Sequence, residues 1–387
     1  MIHRNGLKDS SNIHLRDLRT LLFNLPKIDL HRHLEGSLRL STLADIAHQH
    51  GVDLPSWSPE ELRPYVQVVA EDPPDFHGFL AKFKLLRRFY STPEAVKRVA
   101  YEAVADAAKD NVRYLELRFN PVALAFNQGF SFEDVVDWVI SATDQAQQDH
   151  TIQVRLIVQI GRHEPQYARQ LAEIAVARQD KGIVGLDLAG DEVNYPVTKF
   201  IDVFQEAKEQ GLHITVHAAE AGPAYNVREA VEKLGAERIG HGVRAREDLK
   251  VLDLIRERQV TLEMCPTSNL QTGIIPKLKQ HPLFAFYQLG ILVTINTDDP
   301  SISNTTLTDE FLVATRGVKV PFRDLYQITL NAARAAFLTE PEKARLVDWF
   351  NRALRHWFYK SFNEETTSFA PNYYKINLLP TKHQINH

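Results

Sequence analysis

The chain has 387 residues, of which 44% are hydrophobic and 24% charged, so it is a globular protein of one large or two ordinary domains. Its formal net charge of −4, from 45 Lys and Arg against 49 Asp and Glu, lacks the basic excess of a nucleic-acid binder. A single cysteine, Cys265, excludes an internal disulfide and any metal site built on two thiolates, while 16 histidines supply nitrogen ligands.

Residues 1–20 are polar and mixed in charge, which does not read as a secretory signal, and no uninterrupted apolar stretch is long enough to cross a membrane. A reducing, cytoplasmic location is expected. Short β-branched runs then alternate with helical patterns. Strands are predicted at 27–33, 112–119, 152–160, 183–188, 213–217, 238–241, 261–264 and 292–296. Each is brief and mostly apolar, as strands covered on both faces are. Helices are predicted at 93–109, 131–148, 165–179, 197–210, 227–234, 246–257 and 282–289. The first of these follows Ser91-Thr92 and opens on Pro93, a capping sequence with proline in the first turn. Eight strands alternating with helices predict a closed parallel (β/α)8 TIM barrel. A doubly wound open sheet is the alternative, but no Gly-rich phosphate loop follows the first strand.

Two regions depart from simple alternation. Residues 40–90 are too many for one crossover and predict several helices forming a lid over the barrel mouth. Residues 321–362 predict a C-terminal helical extension of two helices, with 331–337 and 345–358 apolar on one side. The tail, 363–387, has little periodicity and is expected to be partly disordered. The chain 1–387 reads as one domain, with the barrel at about 25–337 and the extension and tail at 338–387.

Polar residues gather at strand C-terminal ends. The first strand ends His31-Arg32-His33, the fifth His217-Ala218-Ala219-Glu220, the sixth Gly240-His241-Gly242 and the eighth Asn296-Thr297-Asp298-Asp299-Pro300. A parallel barrel brings all four ends to one face. His31 and His33, two apart on a strand, point the same way. With an imidazole from the fifth strand and a carboxylate from the eighth, they make a set suited to zinc with one position open for water. Taken singly, each motif has an ordinary structural explanation: a core histidine, a turn, a helix cap. Four strand ends carrying titratable groups on one face do not, because buried charge is costly unless paired or metal-bound.

The stretch Ile28-Asp29-Leu30-His31-Arg32-His33-Leu34-Glu35-Gly36-Ser37 resembles the opening motif of adenosine deaminases. Asp187-Leu188-Ala189-Gly190-Asp191-Glu192, His217-Ala218-Ala219-Glu220, Gly240-His241-Gly242, Cys265-Pro266-Thr267-Ser268-Asn269 and Asn296-Thr297-Asp298-Asp299-Pro300 are similar to later motifs of that family, in the same order. The resemblance spans about residues 25–337 and implies a barrel of the amidohydrolase superfamily holding one Zn2+ per chain. It implies His31, His33, His217 and Asp298 as metal ligands. Glu220 becomes the acid that protonates purine N1, and His241 the residue that orients the attacking hydroxide. Asp299 is implied as the partner of purine N7 and the Gly190 N–H as the donor to N3. Phe79, Leu80 and Phe83 match an apolar lid helix beside the nucleoside, with His33 and Glu35 also lining the substrate.

Two residues depart from the family pattern. Ala219 replaces the usual glycine and is expected to shift Glu220 slightly or narrow the pocket. Glu35 stands where many members carry Asp, the contact to the ribose 5′-hydroxyl. The implied reaction is deamination of adenosine and 2′-deoxyadenosine to the inosines plus ammonia, in purine salvage. Alternatives are deamination of adenine or an aminodeoxyfutalosine, or a non-catalytic relative that binds purine nucleosides. The partner expected is a small purine nucleoside, neither nucleic acid nor membrane. No clustered Arg or Lys clamp for a 5′-phosphate stands near the motifs, Arg32 and Arg39 being the nearest basic residues.

Overall fold

The computed structural model describes residues 15–56 and 58–362. Eight strands, β1 Lys27–His33, β2 Val112–Phe119, β3 Gln153–Gly161, β4 Ile183–Ala189, β5 His213–Ala218, β6 Arg238–His241, β7 Thr261–Met264 and β8 Val293–Ile295, form one parallel sheet in sequence order. The sheet curls round until its two edges meet just past β8. There the His33 N–H donates to the Asp298 carbonyl (2.9 Å) and the Asp298 N–H to the His31 carbonyl (2.8 Å). With helices in the crossovers, this is the expected (β/α)8 barrel.

Alternation along the strands sorts side chains between two environments. Leu115, Leu117, Leu186, Leu188, Val216, Ile239 and Leu262 are buried in the apolar core. Glu116, Arg118, Asp187, Thr215, Arg238 and Glu263 occupy intervening positions, are equally buried, and contact one another within the barrel.

The helix Pro93–Lys109 has the predicted bounds, with the Thr92 hydroxyl accepting the Ala95 N–H (3.1 Å). The helix Phe132–Asp149 is capped in the same way by Ser131. The predicted helix 165–179 resolves into a 3₁₀ turn Pro165–Tyr167, a helix Ala168–Val176 and a second turn Gln179–Lys181. No side chain caps the first turn, and tighter hydrogen bonding substitutes for the missing cap. The helix predicted at 246–257 begins at Leu249, because the Asp248 carboxylate accepts the Lys250 N–H (2.9 Å) and sets the start there.

The extension consists of Asp324–Ala335 and Glu340–Phe362, longer than the apolar stretches that predicted it. Two helices outside the predicted set, Leu15–Asn24 and Leu307–Val313, are joined by the Arg19–Asp309 ion pair (2.8 Å). The tail 363–387 lies outside the described residues.

The lid region holds the helices Leu40–His50, Pro59–Val66, Phe76–Ala81 and Phe83–Leu86. Its backbone is tied to the loops after β8 and β7. The Val68 N–H donates to the Ile302 carbonyl (2.8 Å) and the Asp75 N–H to the Gln271 carbonyl (3.2 Å).

Candidate active site

His31 and His33 at the end of β1, His217 on β5 and Asp298 just past β8 bring four ligand atoms within 4.8 Å of one another. The His33 Nε2 lies 3.3 Å from His31 Nε2 and 3.2 Å from His217 Nε2. Asp298 Oδ1 is 3.1 Å from His31 Nε2 and 3.2 Å from His33 Nε2. The outer ring nitrogens explain this convergence. His31 Nδ1 sits 2.7 Å from a Glu263 oxygen and His217 Nδ1 3.0 Å from Asp187. A carboxylate only accepts, so each Nδ1 carries its proton and each Nε2 turns a lone pair inward. Lone pairs and a carboxylate facing one point call for a cation, and a three-nitrogen, one-oxygen set fits zinc. Burial pushes the His217 imidazole down to about 4, which favours the neutral ligand form.

One guanidinium joins the two supporting carboxylates. Arg118 donates to Asp187 (3.1 Å), to Glu263 (2.8 Å) and to the Leu30 carbonyl (2.7 Å). Below it, Arg238 reaches Glu263 (2.6 Å) and Glu116 (2.5 Å). Burial opposes the charge on Asp187, but His217 and Arg118 outweigh it and hold the carboxyl below its usual range.

Glu220 and His241 face the same point. The Glu220 carboxyl is 3.7 Å from His241 Nε2, which is 3.8 Å from Asp298. Burial, then the charges of Asp298 and Glu192, push the Glu220 carboxyl well above its ordinary value, which favours the protonated form. Glu192 shapes its loop by accepting the N–H groups of Ala219 (2.8 Å), Glu220 (2.7 Å) and Gly222 (2.8 Å). Ala219 is held at φ +51°, and His241 and Asp298 are both at +62°. Left-handed backbone at three site residues is the kind of local strain that the surrounding structure must enforce. At Ala219 the conformation favours glycine. The alanine is accommodated with its methyl buried and its backbone clamped by Glu192.

A cavity of about 340 Å³ opens on this face. Its lining includes His33, Glu35, Phe79, Leu80, Phe83, Gly190, His217, Glu220, His241, Asp298 and Asp299. Every predicted site residue is therefore on the cavity except His31, which is fully buried beneath it. Phe79 and Phe83 from the lid lie edge to face at 6.5 Å. Glu35 accepts the Asn120 N–H with one oxygen (2.5 Å), while its other oxygen is buried without a partner among the described residues. Asp299 Oδ1 is likewise buried and unpartnered. Gly36 is required beside it, since a β-carbon there would lie 1.9 Å from that oxygen.

A family model described as adenosine deaminase matches residues 26–353. The chain belongs to the adenosine deaminase family. It is 39% identical to an adenosine deaminase of Klebsiella pneumoniae over 324 residues, 84% of this chain and 97% of that protein. Among solved structures it resembles an adenine deaminase from Arthrobacter aurescens, with 29% identity, a TM-score of 0.78, and coverage of 85% of this chain and 98% of that one. It also resembles an Arabidopsis N6-mAMP deaminase, with 26% identity, a TM-score of 0.77, and coverage of 86% and 99%.

Several residues around the family's motifs were not singled out by sequence reasoning. Asp187, Glu192 and Asn269 stood inside the quoted motifs without a role. Asn269 contacts His241 Nδ1 (3.1 Å) and His281 (3.2 Å). Arg118 and Glu263 were passed over as strand residues. The signal available for both was a charge at an interior strand position, which is costly unless paired. Arg87, Gln159 and His163 line the cavity from the lid and β3, and nothing in their local sequence marks them.

Proposed function

We propose that this chain catalyses hydrolytic deamination of adenosine and 2′-deoxyadenosine, releasing ammonia and the corresponding inosine. The observation that carries this reading is the meeting of a buried Glu220 with His241 beside the His31, His33, His217 and Asp298 set. When bound, one zinc ion per chain supplies a Lewis acid that lowers the pKa of water to about 7. Glu220 gives its proton to purine N1, which draws electron density from C6 and opens that carbon to attack; an acid so placed contributes ~10²–10⁴-fold. His241 orients the oxygen nucleophile. Asp299 holds N7, and the Gly190 N–H meets N3. Phe79, Leu80 and Phe83 close over the nucleoside and exclude water. The C6–N bond breaks as ammonia leaves, and C6 becomes a carbonyl.

The relatives' names place adenosine, adenine and N6-mAMP within the family's range, so the 5′ end of the site decides the substrate. The unpartnered Glu35 oxygen suits a ribose 5′-hydroxyl donor. Arg87 is the only arginine or lysine among the described lining residues, and it lies in the field of Glu35 and Glu164. That is no phosphate clamp. The test is kcat/KM for adenosine, adenine and AMP under one set of conditions. Adenosine should lead by at least about tenfold; a lead by adenine or AMP refutes the assignment of Glu35 and the lid. In this reading the chain is one cytoplasmic hydrolase domain, its barrel at about 25–337 carrying the C-terminal extension.

A further inference from the structure

His241 can carry its proton on either ring nitrogen, and its role depends on which. The structure fixes the answer from a backbone amide two side chains away. The Leu283 N–H, which can only donate, points at His281 Nδ1 (3.1 Å). His281 Nδ1 must therefore be a lone pair, and its proton sits on Nε2. Burial, then the nearby Arg246 charge, pushes the His281 imidazole down to about 3, in keeping with a neutral ring. His281 Nε2 lies 3.2 Å from Asn269 Oδ1, so the ring donates and the amide oxygen accepts. That orients the Asn269 amide and aims its NH₂ at His241 Nδ1, 3.1 Å away. His241 Nδ1 is then an acceptor, and the His241 proton is on Nε2, the nitrogen facing Asp298 and Glu220. All three side chains are buried, Asn269 completely, so water does not compete for these bonds.

The segments that hold Asn269 and His281 carry none of the four metal ligands. Asn269 lies on the short helix Pro266–Gln271 after β7, and its own N–H donates to the Cys265 carbonyl (3.0 Å). His281 follows the turn Leu278–Gln280, whose last carbonyl accepts from Arg246 (2.8 Å).

We propose that Asn269 and His281 are positioning residues that lock His241 as the Nε2–H tautomer, so that it acts in the reaction as a hydrogen-bond donor to the oxygen nucleophile and not as a proton acceptor. This rests on the deaminase reading and specifies it. A donor in that place stabilises negative charge developing on oxygen. A proton on the other nitrogen turns a lone pair toward it instead. In a serine protease triad, the wrong histidine tautomer alone lowers turnover by ~10⁴.

The direct test is ¹⁵N NMR of the zinc-loaded chain labelled at histidine, with His241 assigned by its substitution. The expected spectrum shows His241 Nε2 protonated and Nδ1 unprotonated; the reverse overturns the proposal whether or not the chain deaminates adenosine. Two variants extend it. Asn269→Asp keeps shape but presents only acceptors to both rings, so His241 should move its proton to Nδ1. kcat should fall ~10²–10⁴-fold with KM within about threefold and zinc content unchanged. His281→Gln retains a donor for Asn269 and should keep kcat within about tenfold, whereas His281→Ala should lose more. If Asn269→Asp folds, binds zinc and turns over like the parent, the relay has no function. Should it fail to fold, the tautomer in the parent protein and the Gln-against-Ala contrast at His281 still decide.

Discussion

The upper and lower halves of the barrel interior use the same residue types to opposite ends. Below the site, Glu116, Asp187, Glu263, Arg118 and Arg238 pair opposite charges with one another, with separations of 2.5–3.1 Å. At the mouth, His31, His33, His217 and Asp298 turn acceptors toward a shared point, and Glu35 and Asp299 each keep a buried oxygen without a partner. The lower network closes on itself and serves as scaffold, while the upper one is left open for a cation and a polar ligand. The two meet at the histidine Nδ1 atoms, where Glu263 and Asp187 transmit the order of the closed network to the open one.

Removing a member of the open set should abolish function with the fold retained. His217→Ala should lose both metal and measurable turnover. Glu220→Gln should keep one zinc per chain while kcat falls ~10²–10⁴-fold. Zinc analysis alongside adenosine turnover separates the two, and loss of zinc from the Glu220 variant would make Glu220 a ligand and its acid role wrong. In the closed set, damage should appear first as stability. Arg118→Gln breaks buried pairs to two carboxylates and should cost ~3–5 kcal/mol. Because those carboxylates orient His31 and His217, zinc affinity should also fall ~10–100-fold. Chelator competition and denaturant unfolding of the apo and zinc-loaded forms measure both; unchanged affinity in a destabilised protein would separate the halves.

A third prediction concerns a buried acid with no cationic partner among the described residues. Glu310 accepts from the Thr267 N–H (3.1 Å) and Thr305 hydroxyl (2.9 Å), and burial pushes its carboxyl up to about 7. The folded chain therefore binds this proton more tightly than the unfolded one. Its stabilising contribution is present at low pH and is lost as pH rises from about 4.5 through 7, by about 3 kcal/mol in total. Glu310→Gln should flatten that part of the stability profile and be more stable than the parent at pH 8. An unaltered profile would show that another group titrates. The smallest effect is expected at Ala219. Glycine there relieves the φ of +51° but gains freedom when unfolded, so Ala219→Gly should change stability by less than about 1 kcal/mol. A larger loss would mean that the buried methyl has a packing role.

The barrel could be read from sequence because its strands carry their own signal. Val112–Phe119 and Thr261–Met264 were bounded correctly by short apolar composition alone. The gathering of the four polar strand ends on one face followed from topology, since strand ends must converge. Helix starts were less accurate where a side chain or a 3₁₀ turn, not periodicity, set them, as at Asp248 and Pro165. The supporting shell was hidden for a different reason. Whether Arg118 or Glu263 is a surface charge or a barrel-interior one depends on partners 69 and 145 residues away. His281 showed nothing locally, since its contact with Asn269, 12 residues away, forms only after β7 and its loop are in place.

The central claim is that one metal site on this chain drives removal of ammonia from adenosine. Its most direct test is a zinc titration of metal-free protein, following ammonia and inosine together. The account predicts no turnover without metal, equal amounts of the two products, and activity rising to a plateau at about one zinc per chain. Turnover that persists in the metal-free chain, a plateau at two zinc ions, or a zinc-loaded chain that releases no ammonia would contradict it.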